Sequence, residues 1–327
     1  MKYILMTLSV LLFFTACSGK KYFEPEDTSS NIRLNDESIG SSIKSMNKIG
    51  ATLEDNRIIT NKGISQMKLP EGFEFLNTTD TGKIIATDYI NKLLIGDEVK
   101  VLKDVVVAAS VRDNKLAVVY SNNTVELMDM ATNKTLFKEY LTISLANDTR
   151  ITNPYFMNGL ILFPTLNGRV LIVSTTNYEV IKNITVDPDS RFNNIISLNV
   201  IEDLQTLIIA SPNKIVSISP KETIVKDYTL RDIIVVKDRI YIATVDGQII
   251  KLNPSLEQLA KKKYKYAKFH AIAFTNSIYA VESQGYLINI AEDFSKDTVY
   301  KFSFNNEKRM INMGNKIYFD HNFITLP

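Results

Sequence analysis

A hairpin pattern recurs eight times along this 327-residue chain, and it restricts the fold more than any other feature of the sequence. Each unit carries a polar or turn-forming residue, one linker residue and an apolar β-forming run, then a second turn position and another apolar run. Seven intervals separate Ile58 from Ile317, which are 259 residues apart, so the mean period is 37 residues. The first apolar residues of the eight units are Ile58, Ile84, Leu116, Leu160, Leu207, Ile240, Ile278 and Ile317.

This period predicts an all-β fold, an eight-bladed β-propeller of four-stranded blades, because each unit has room for two strands beside its hairpin. Seven blades are the alternative count. A β-sandwich or two small β domains are the alternative architectures, but eight regular units are too many for one sandwich. Helical patterning is sparse, and the best candidate for a turn or two of helix is "PSLEQLAKKK", which begins at Pro254.

Ring closure is predicted from the two ends of the repeat. The eighth unit ends in "NFITLP" and lacks an outermost strand, which would leave an exposed sheet edge. We therefore expect an N-terminal strand, from within Ile32 to Met46, to pair with this unit and close the ring.

The N-terminus is typical of a secretory signal, with the basic residue Lys2, an apolar run over residues 4–14 and two small residues after it. The run is shorter than the roughly 20 residues of a membrane-spanning helix. The only cysteine, Cys17, follows at once, so the segment resembles a bacterial lipoprotein signal. That resemblance implies that Cys17 is the acylated first residue of the mature chain, carrying fatty acids such as palmitate. An ordinary signal with an unmodified cysteine is the alternative.

The predicted organisation therefore has three parts. Residues 1–16 form the signal peptide, residues 17–43 form the acylated Cys17 and a polar tether, and residues 44–327 form a single propeller domain. Ser18 follows Cys17, and the resemblance to lipoproteins with serine there implies the periplasmic face of the outer membrane. Retention at the inner membrane is the alternative.

Charge argues against nucleic acid as a partner. The full chain has 38 basic and 36 acidic residues, and loss of Lys2 with the signal would reduce the net charge from +2 to +1. Phosphate binding requires an excess of clustered basic residues.

The third unit carries the clearest family resemblance. Its segment "ELMDMATNKTLFKEY", residues 126–140, resembles the pyrroloquinoline-quinone-type repeat, with Asn133 and Phe137 in place of the glycine and tryptophan of that repeat. A lipoprotein signal followed by eight such units is similar to the BamB family of outer-membrane propeller lipoproteins, which assist insertion of β-barrel proteins.

One local match suggests a binding site. The segments "TISLANDTR" and "LNGRV" resemble the part of the BamB family that meets the periplasmic part of the barrel-assembly protein, and Ile143 and Leu145 fall on its two leucines. Ala146 stands where the family has arginine. Taken without the family, the alternation of Leu141, Ile143 and Leu145 is equally typical of buried strand residues.

Catalytic patterns are not found in the sequence. The two histidines, His270 and His321, lie in different units and are interpreted as structural or surface residues, and no zinc, phosphate-loop or nucleophile-elbow motif is present. We therefore predict no cofactor, no metal and no catalytic residue. A quinone-dependent dehydrogenase is the enzymatic alternative, but the sequence has no tryptophan to form the floor of such a site.

These observations predict a non-catalytic scaffold that assists assembly of outer-membrane β-barrel proteins. Its predicted partners are the barrel-assembly protein and nascent β-barrel chains, and it would act as a monomer within a complex. The alternative is an envelope lipoprotein that binds cell-wall glycan or another protein, because propellers host many functions.

Overall fold

The chain folds into eight four-stranded antiparallel sheets, seen in a computed structural model that describes residues 21–29, 36–144 and 148–327. Blades 1 to 4 comprise β2 (Ile43–Asn47), β3 (Gly50–Leu53), β4 (Arg57–Thr60), β5 (Gly63–Lys68); β6 (Glu74–Thr78), β7 (Ile84–Thr87), β8 (Lys92–Ile95), β9 (Glu98–Val101); β10 (Val106–Arg112), β11 (Lys115–Tyr120), β12 (Thr124–Asp129), β13 (Thr135–Tyr140); and β14 (Tyr155–Met157), β15 (Leu160–Pro164), β16 (Arg169–Ser174), β17 (Val180–Thr185).

The second half of the ring repeats this order, and a short 3-10 helix, Glu202–Leu204, interrupts it in blade 5. Blades 5 to 8 comprise β18 (Ser197–Ile201), β19 (Thr206–Ala210), β20 (Lys214–Ile218), β21 (Thr223–Asp227); β22 (Leu230–Val236), β23 (Arg239–Thr244), β24 (Gln248–Leu252), β25 (Gln258–Lys263); β26 (Phe269–Phe274), β27 (Ser277–Glu282), β28 (Tyr286–Ala291), β29 (Asp297–Lys301); and β30 (Met310–Met313), β31 (Lys316–Phe319), β32 (Asn322–Thr325) with β1 (Asp36–Ser38).

The predicted ring closure is confirmed. Strand β1 pairs antiparallel with β32 in the register Asp36 to Ile324 and Ser38 to Asn322, so it is the outermost strand of blade 8. The eight-bladed prediction is confirmed by the same topology, and the alternatives of seven blades or a sandwich are wrong. Strand β1 lies inside the segment interpreted as a tether, so that part of the segment belongs to the ring.

The core lies between the blades. Eight clusters of buried apolar residues occupy the part of the chain that the structure describes, one at each contact between neighbouring blades. The middle strands are buried on both faces, which explains their near-continuous apolar runs; Val118 and Val119 of β11, for example, are both fully buried. Burial on both faces thus makes each blade depend on its two neighbours.

Two local predictions are wrong. Ile58 lies in β4, the third strand of blade 1, whereas the first apolar residues of the other seven units lie in the second strands of their blades. Because Ile58 is one strand later in its blade than the others, the first interval of the repeat is the shortest. The segment after Pro254 is no helix but the outermost strand β25, because hydrogen bonding to β24 outweighs a weak local helical preference.

The first strands of the blades line a central channel, since β22 contacts β26, β26 contacts β30 and β6 contacts β10. Two connections reach across it. Lys48, in the turn after β2 of blade 1, forms an ion pair with Asp232 of blade 6. Arg150, in the loop between blades 3 and 4, donates to the carbonyl oxygen of Arg231 in blade 6 at 2.8 Å. Side chains from blade 1 and from the loop between blades 3 and 4 therefore contact blade 6 at the channel.

Candidate partner-binding surface

The loop between blades 3 and 4 carries the predicted contact residues. Ile143 lies in it with 64% of its surface exposed, and Tyr140, at the end of β13, is 75% exposed. Residues 141–144 form no strand, so Ile143 is not a buried strand residue. Leu145 lies outside the described residues. Cys17, the predicted lipidation site, lies outside them as well.

The start of this loop is fixed by a buried asparagine. Asn123, in the turn between β11 and β12, has no exposed surface, and its Nδ2 donates to the carbonyl oxygen of Thr142 at 2.7 Å. Its Oδ1 accepts the backbone N–H of Leu166 at 2.7 Å. Asn167 donates to the same Thr142 oxygen at 3.5 Å. The two segments that resemble the BamB family, around Ile143 and around Asn167, are therefore neighbours in the structure.

The far side of the loop is fixed by a second buried asparagine, Asn194, which precedes β18 of blade 5. Its Oδ1 accepts the backbone N–H of Asp148 at 2.6 Å, and its Nδ2 donates to the carbonyl oxygens of Asp148 at 3.2 Å and Arg150 at 2.9 Å. Asn194 has no exposed surface. A fully buried amide with its oxygen and nitrogen both bonded to backbone sets the path of that backbone.

An ion pair stiffens the same side. Arg150 holds Asp148 through Nε at 2.7 Å and Nη2 at 2.6 Å, a bidentate arrangement. Burial alone would raise the pKa of Asp148, but hydrogen bonds and charge from Arg150, with the charge of Arg231, hold it below its usual range. The Asp148 carboxylate therefore stays ionised at neutral pH and keeps the guanidinium in place.

This geometry suits protein recognition. The apolar side chain of Ile143 is exposed one residue after Thr142, whose backbone is held by Asn123, and Asp148 is held by Asn194. Exposed apolar groups on positioned loops are typical contact points in protein interfaces.

A groove of about 440 Å³ beside blades 2 and 3 contains a buried acid, Glu126. Glu126 is 3% exposed; its Oε2 accepts from Tyr120 at 2.9 Å and from Lys138 at 3.2 Å, and its Oε1 accepts from Thr135 at 2.6 Å. Burial would raise the pKa of Glu126, but these hydrogen bonds lower it. Both carboxylate oxygens are occupied, so the group braces blade 3.

The histidines lie apart from one another. His321 lies beside Ser42 and Lys308. His270 lies at the channel and packs edge-on against Phe304, with 5.5 Å between the ring centroids. Within residues 21–29, 36–144 and 148–327, no three His, Cys, Asp or Glu side chains are grouped to hold a metal ion.

The N-terminal segment is attached to the propeller near blades 6 and 7. Phe23 is 7% exposed and packs edge-on against Tyr264 at 5.9 Å and Tyr286 at 5.6 Å between ring centroids. The backbone N–H of Ser29 donates to the carbonyl oxygen of Val299 in β29 at 2.8 Å. In the described part of the chain, no helix has the length and apolar character needed to cross a bilayer.

Sequence reasoning missed Asn123, Asn194 and Phe23. Asparagine is common at turns, so neither amide carries a local signal for a partner 19 or 46 residues away. Phe23 follows Tyr22 in an otherwise polar stretch, and this aromatic pair was the available signal.

Comparison with models of known protein families gives no match. Two curated relatives are similar over nearly the whole chain. Plasminogen-binding protein PgbB of Helicobacter pylori strain J99 is 28% identical over 389 aligned positions, covering 99% of this chain and 71% of the relative. PgbB of strain 26695 is 28% identical over 388 positions, covering 99% and 70%.

Solved structures confirm the architecture. BamB from Moraxella catarrhalis matches with a TM-score of 0.65 and 13% identity, covering 89% of this chain and 98% of that one. The C-terminal WD40 domain of Sif2 matches with a TM-score of 0.63 and 11% identity over 89% and 98%. Saccharomyces cerevisiae Sqt1 matches with a TM-score of 0.62 and 12% identity over 92% and 99%. At these identities the likeness shows the fold alone.

Proposed function

We propose that this chain is a non-catalytic, lipid-anchored envelope propeller that binds protein partners and assists assembly of outer-membrane β-barrel proteins. The partner contact is the loop between blades 3 and 4, with Ile143 and Leu145 as its apolar residues. The observation that carries the proposal is the exposed Ile143 on a loop held by Asn123 and Asn194.

The attached N-terminus supports the anchoring part of the proposal. Lys21 lies with its ammonium 5.5 Å from the centre of the Tyr266 ring, and Phe23 is buried two residues later. Cys17 and Lys21 are four positions apart, which at full extension is about 14 Å. A lipid on Cys17 would therefore hold the rim at blades 6 and 7 close to the bilayer.

The test compares two apolar residues of equal exposure. Ile143→Asp, alone and with Leu145→Asp, is compared with Ile181→Asp, because Ile181 in β17 is 61% exposed against 64% for Ile143. The tagged protein is crosslinked in cells and purified in mild detergent, and thermal unfolding verifies that each variant is folded. The proposal is supported if the barrel-assembly protein co-purifies with the wild type and with Ile181→Asp but not with the Ile143→Asp variants. Recovery that is unchanged in them, or no recovery at all, contradicts it.

Lipidation has its own test. Cys17→Ser should move the protein from the membrane to the soluble fraction, and the mass of the wild-type N-terminal fragment should include acyl groups on Cys17. An unmodified fragment of wild-type mass from the membrane fraction would contradict the anchor and leave the loop proposal standing.

A second candidate function follows from the curated relatives, whose names state plasminogen binding. Surface plasmon resonance of the purified chain against plasminogen distinguishes plasminogen binding from the assembly function. Saturable binding that survives Ile143→Asp would favour this second function and a different surface.

A further inference from the structure

A cavity of about 190 Å³ lies in the central channel between blades 6, 7, 8 and 1. Its lining combines basic groups with apolar walls. The lining residues used below are Met46, Lys48, Arg150, Arg231, His270 and Met310.

The acidic groups nearest this cavity are already neutralised. Asp232 accepts from Lys48 and from the backbone N–H of Ile233 through Oδ1, and from the backbone N–H of Ile272 through Oδ2. Asp148 is bound by Arg150 through both oxygens. Each carboxylate thus already has a basic side chain at hydrogen-bond distance.

Arg231 is the cation left over. Its residue is exposed, and within the described residues its guanidinium donates no hydrogen bond and forms no ion pair. Desolvation lowers the pKa of His270, and the charge of Arg231 lowers it further, so the imidazole is neutral at pH 7 and can donate one N–H. Lys48, Arg150 and Arg231 thus exceed the two carboxylates by one positive charge, and His270 is a second donor beside Arg231.

Arg231 and His270 are each placed at the cavity by a β-bulge in the first strand of their blade. The pairing of β22 with β23 shifts between Leu230 and Asp232, and that of β26 with β27 shifts between Phe269 and Ala271. Arg231 and His270 are the residues skipped at these bulges in neighbouring blades. A bulge re-aims the side chain of the unpaired residue, and both residues line the cavity.

We propose that this cavity binds an acidic residue of a partner peptide, whose carboxylate meets Arg231 and His270. Met46 and Met310 on the walls would contact the methylene groups of that side chain. Inorganic phosphate has no apolar part to place against these methionines, so a peptide satisfies the site better. This proposal rests on the proposed function in that the ligand belongs to a protein partner, but it concerns a surface other than the Ile143 loop.

The test uses purified full-length chain and short capped peptides, so it does not depend on a natural partner. The probe is an alanine-based hexapeptide with two glutamates, and the matched peptide has glutamines in their place. Binding is followed by calorimetry and by the imidazole NMR signals of His270, assigned with His270→Gln. The variant Arg231→Gln is compared with Arg239→Gln, which makes the same charge change on the same blade but at an arginine already paired with Asp238.

We expect saturable binding of the glutamate peptide, no binding of the glutamine peptide, and at least a tenfold loss of affinity in Arg231→Gln with none in Arg239→Gln. Equal binding of inorganic phosphate, or peptide binding that Arg231→Gln leaves unchanged, would overturn the proposal. Failure of all peptides to bind a folded protein would overturn it too, whereas the loop proposal is decided by its own crosslinking experiment.

Discussion

Replacing Asn194 with alanine should release the backbone at Asp148 and Arg150, in the loop between blades 3 and 4. The side chain makes three hydrogen bonds to the backbone of Asp148 and Arg150. At about 1 kcal/mol net for each, they are worth about 3 kcal/mol together. Thr149 is exposed, so water can satisfy part of the freed backbone, and the expected loss in the free energy of unfolding is about 1–3 kcal/mol.

Two measurements separate this local effect from general destabilisation. Urea unfolding gives the free energy, and hydrogen exchange followed by mass spectrometry should show faster exchange in residues 141–154 and unchanged exchange in blade 7. Asn158→Ala is the control, because Asn158 is exposed and its side chain forms no hydrogen bond within the described residues. If Asn194→Ala and Asn158→Ala gave the same unfolding curve and the same exchange, the anchoring role of Asn194 would be refuted.

Three further predictions concern the ring. Because the folded-state pKa of Glu126 is depressed, its stabilisation is present above the ordinary glutamate pKa of about 4.3 and is lost as the pH falls through the folded value. Other acids with lowered pKa values, such as Asp148, lose stabilisation too, so urea unfolding from pH 7 to 3 should show a larger loss in wild type than in Glu126→Gln, and equal losses would contradict the role of Glu126. Gly168→Ala places a Cβ 2.2 Å from the Asp187 carbonyl oxygen at a φ of +77°, so it should cost more than about 2 kcal/mol, whereas Gly159→Ala, at φ +73° in open space, should cost about 1 kcal/mol; equal costs would contradict the close contact. Phe23→Ala should remove hydrogen-exchange protection from residues 24–29 while the propeller remains folded, and retained protection would show that the segment is held by other groups.

Much of the fold was predictable because it is periodic. Apolar runs separated by turn residues at a mean of 37 residues specify repeated hairpins, and a missing final strand specifies closure from the other end. Blade 1 shows the limit: Ile58 has the same local pattern as the other repeat markers but occupies the third strand, because a tight turn at 54–56 inserts β3 before it. The local pattern therefore identifies a strand but not its position within the blade.

The candidate sites were less predictable because they depend on contacts between distant segments. Ile143 was indicated by a resemblance, but its exposure depends on Asn123 and Asn194, which act across 19 and 46 residues. His270 was interpreted as a structural or surface residue, and only the folded ring brings it beside Arg231, 39 positions away in the sequence. Long-range polar contacts of this kind leave no periodic signal.

The central claim is that the loop between blades 3 and 4 is the partner contact. A photo-crosslinking amino acid placed at position 143, and separately at the equally exposed position 181, tests it most directly in living cells. The account predicts a crosslink from position 143 to the barrel-assembly protein and none from position 181. Crosslinking from 181 and not from 143, or to this partner from neither position, would contradict it.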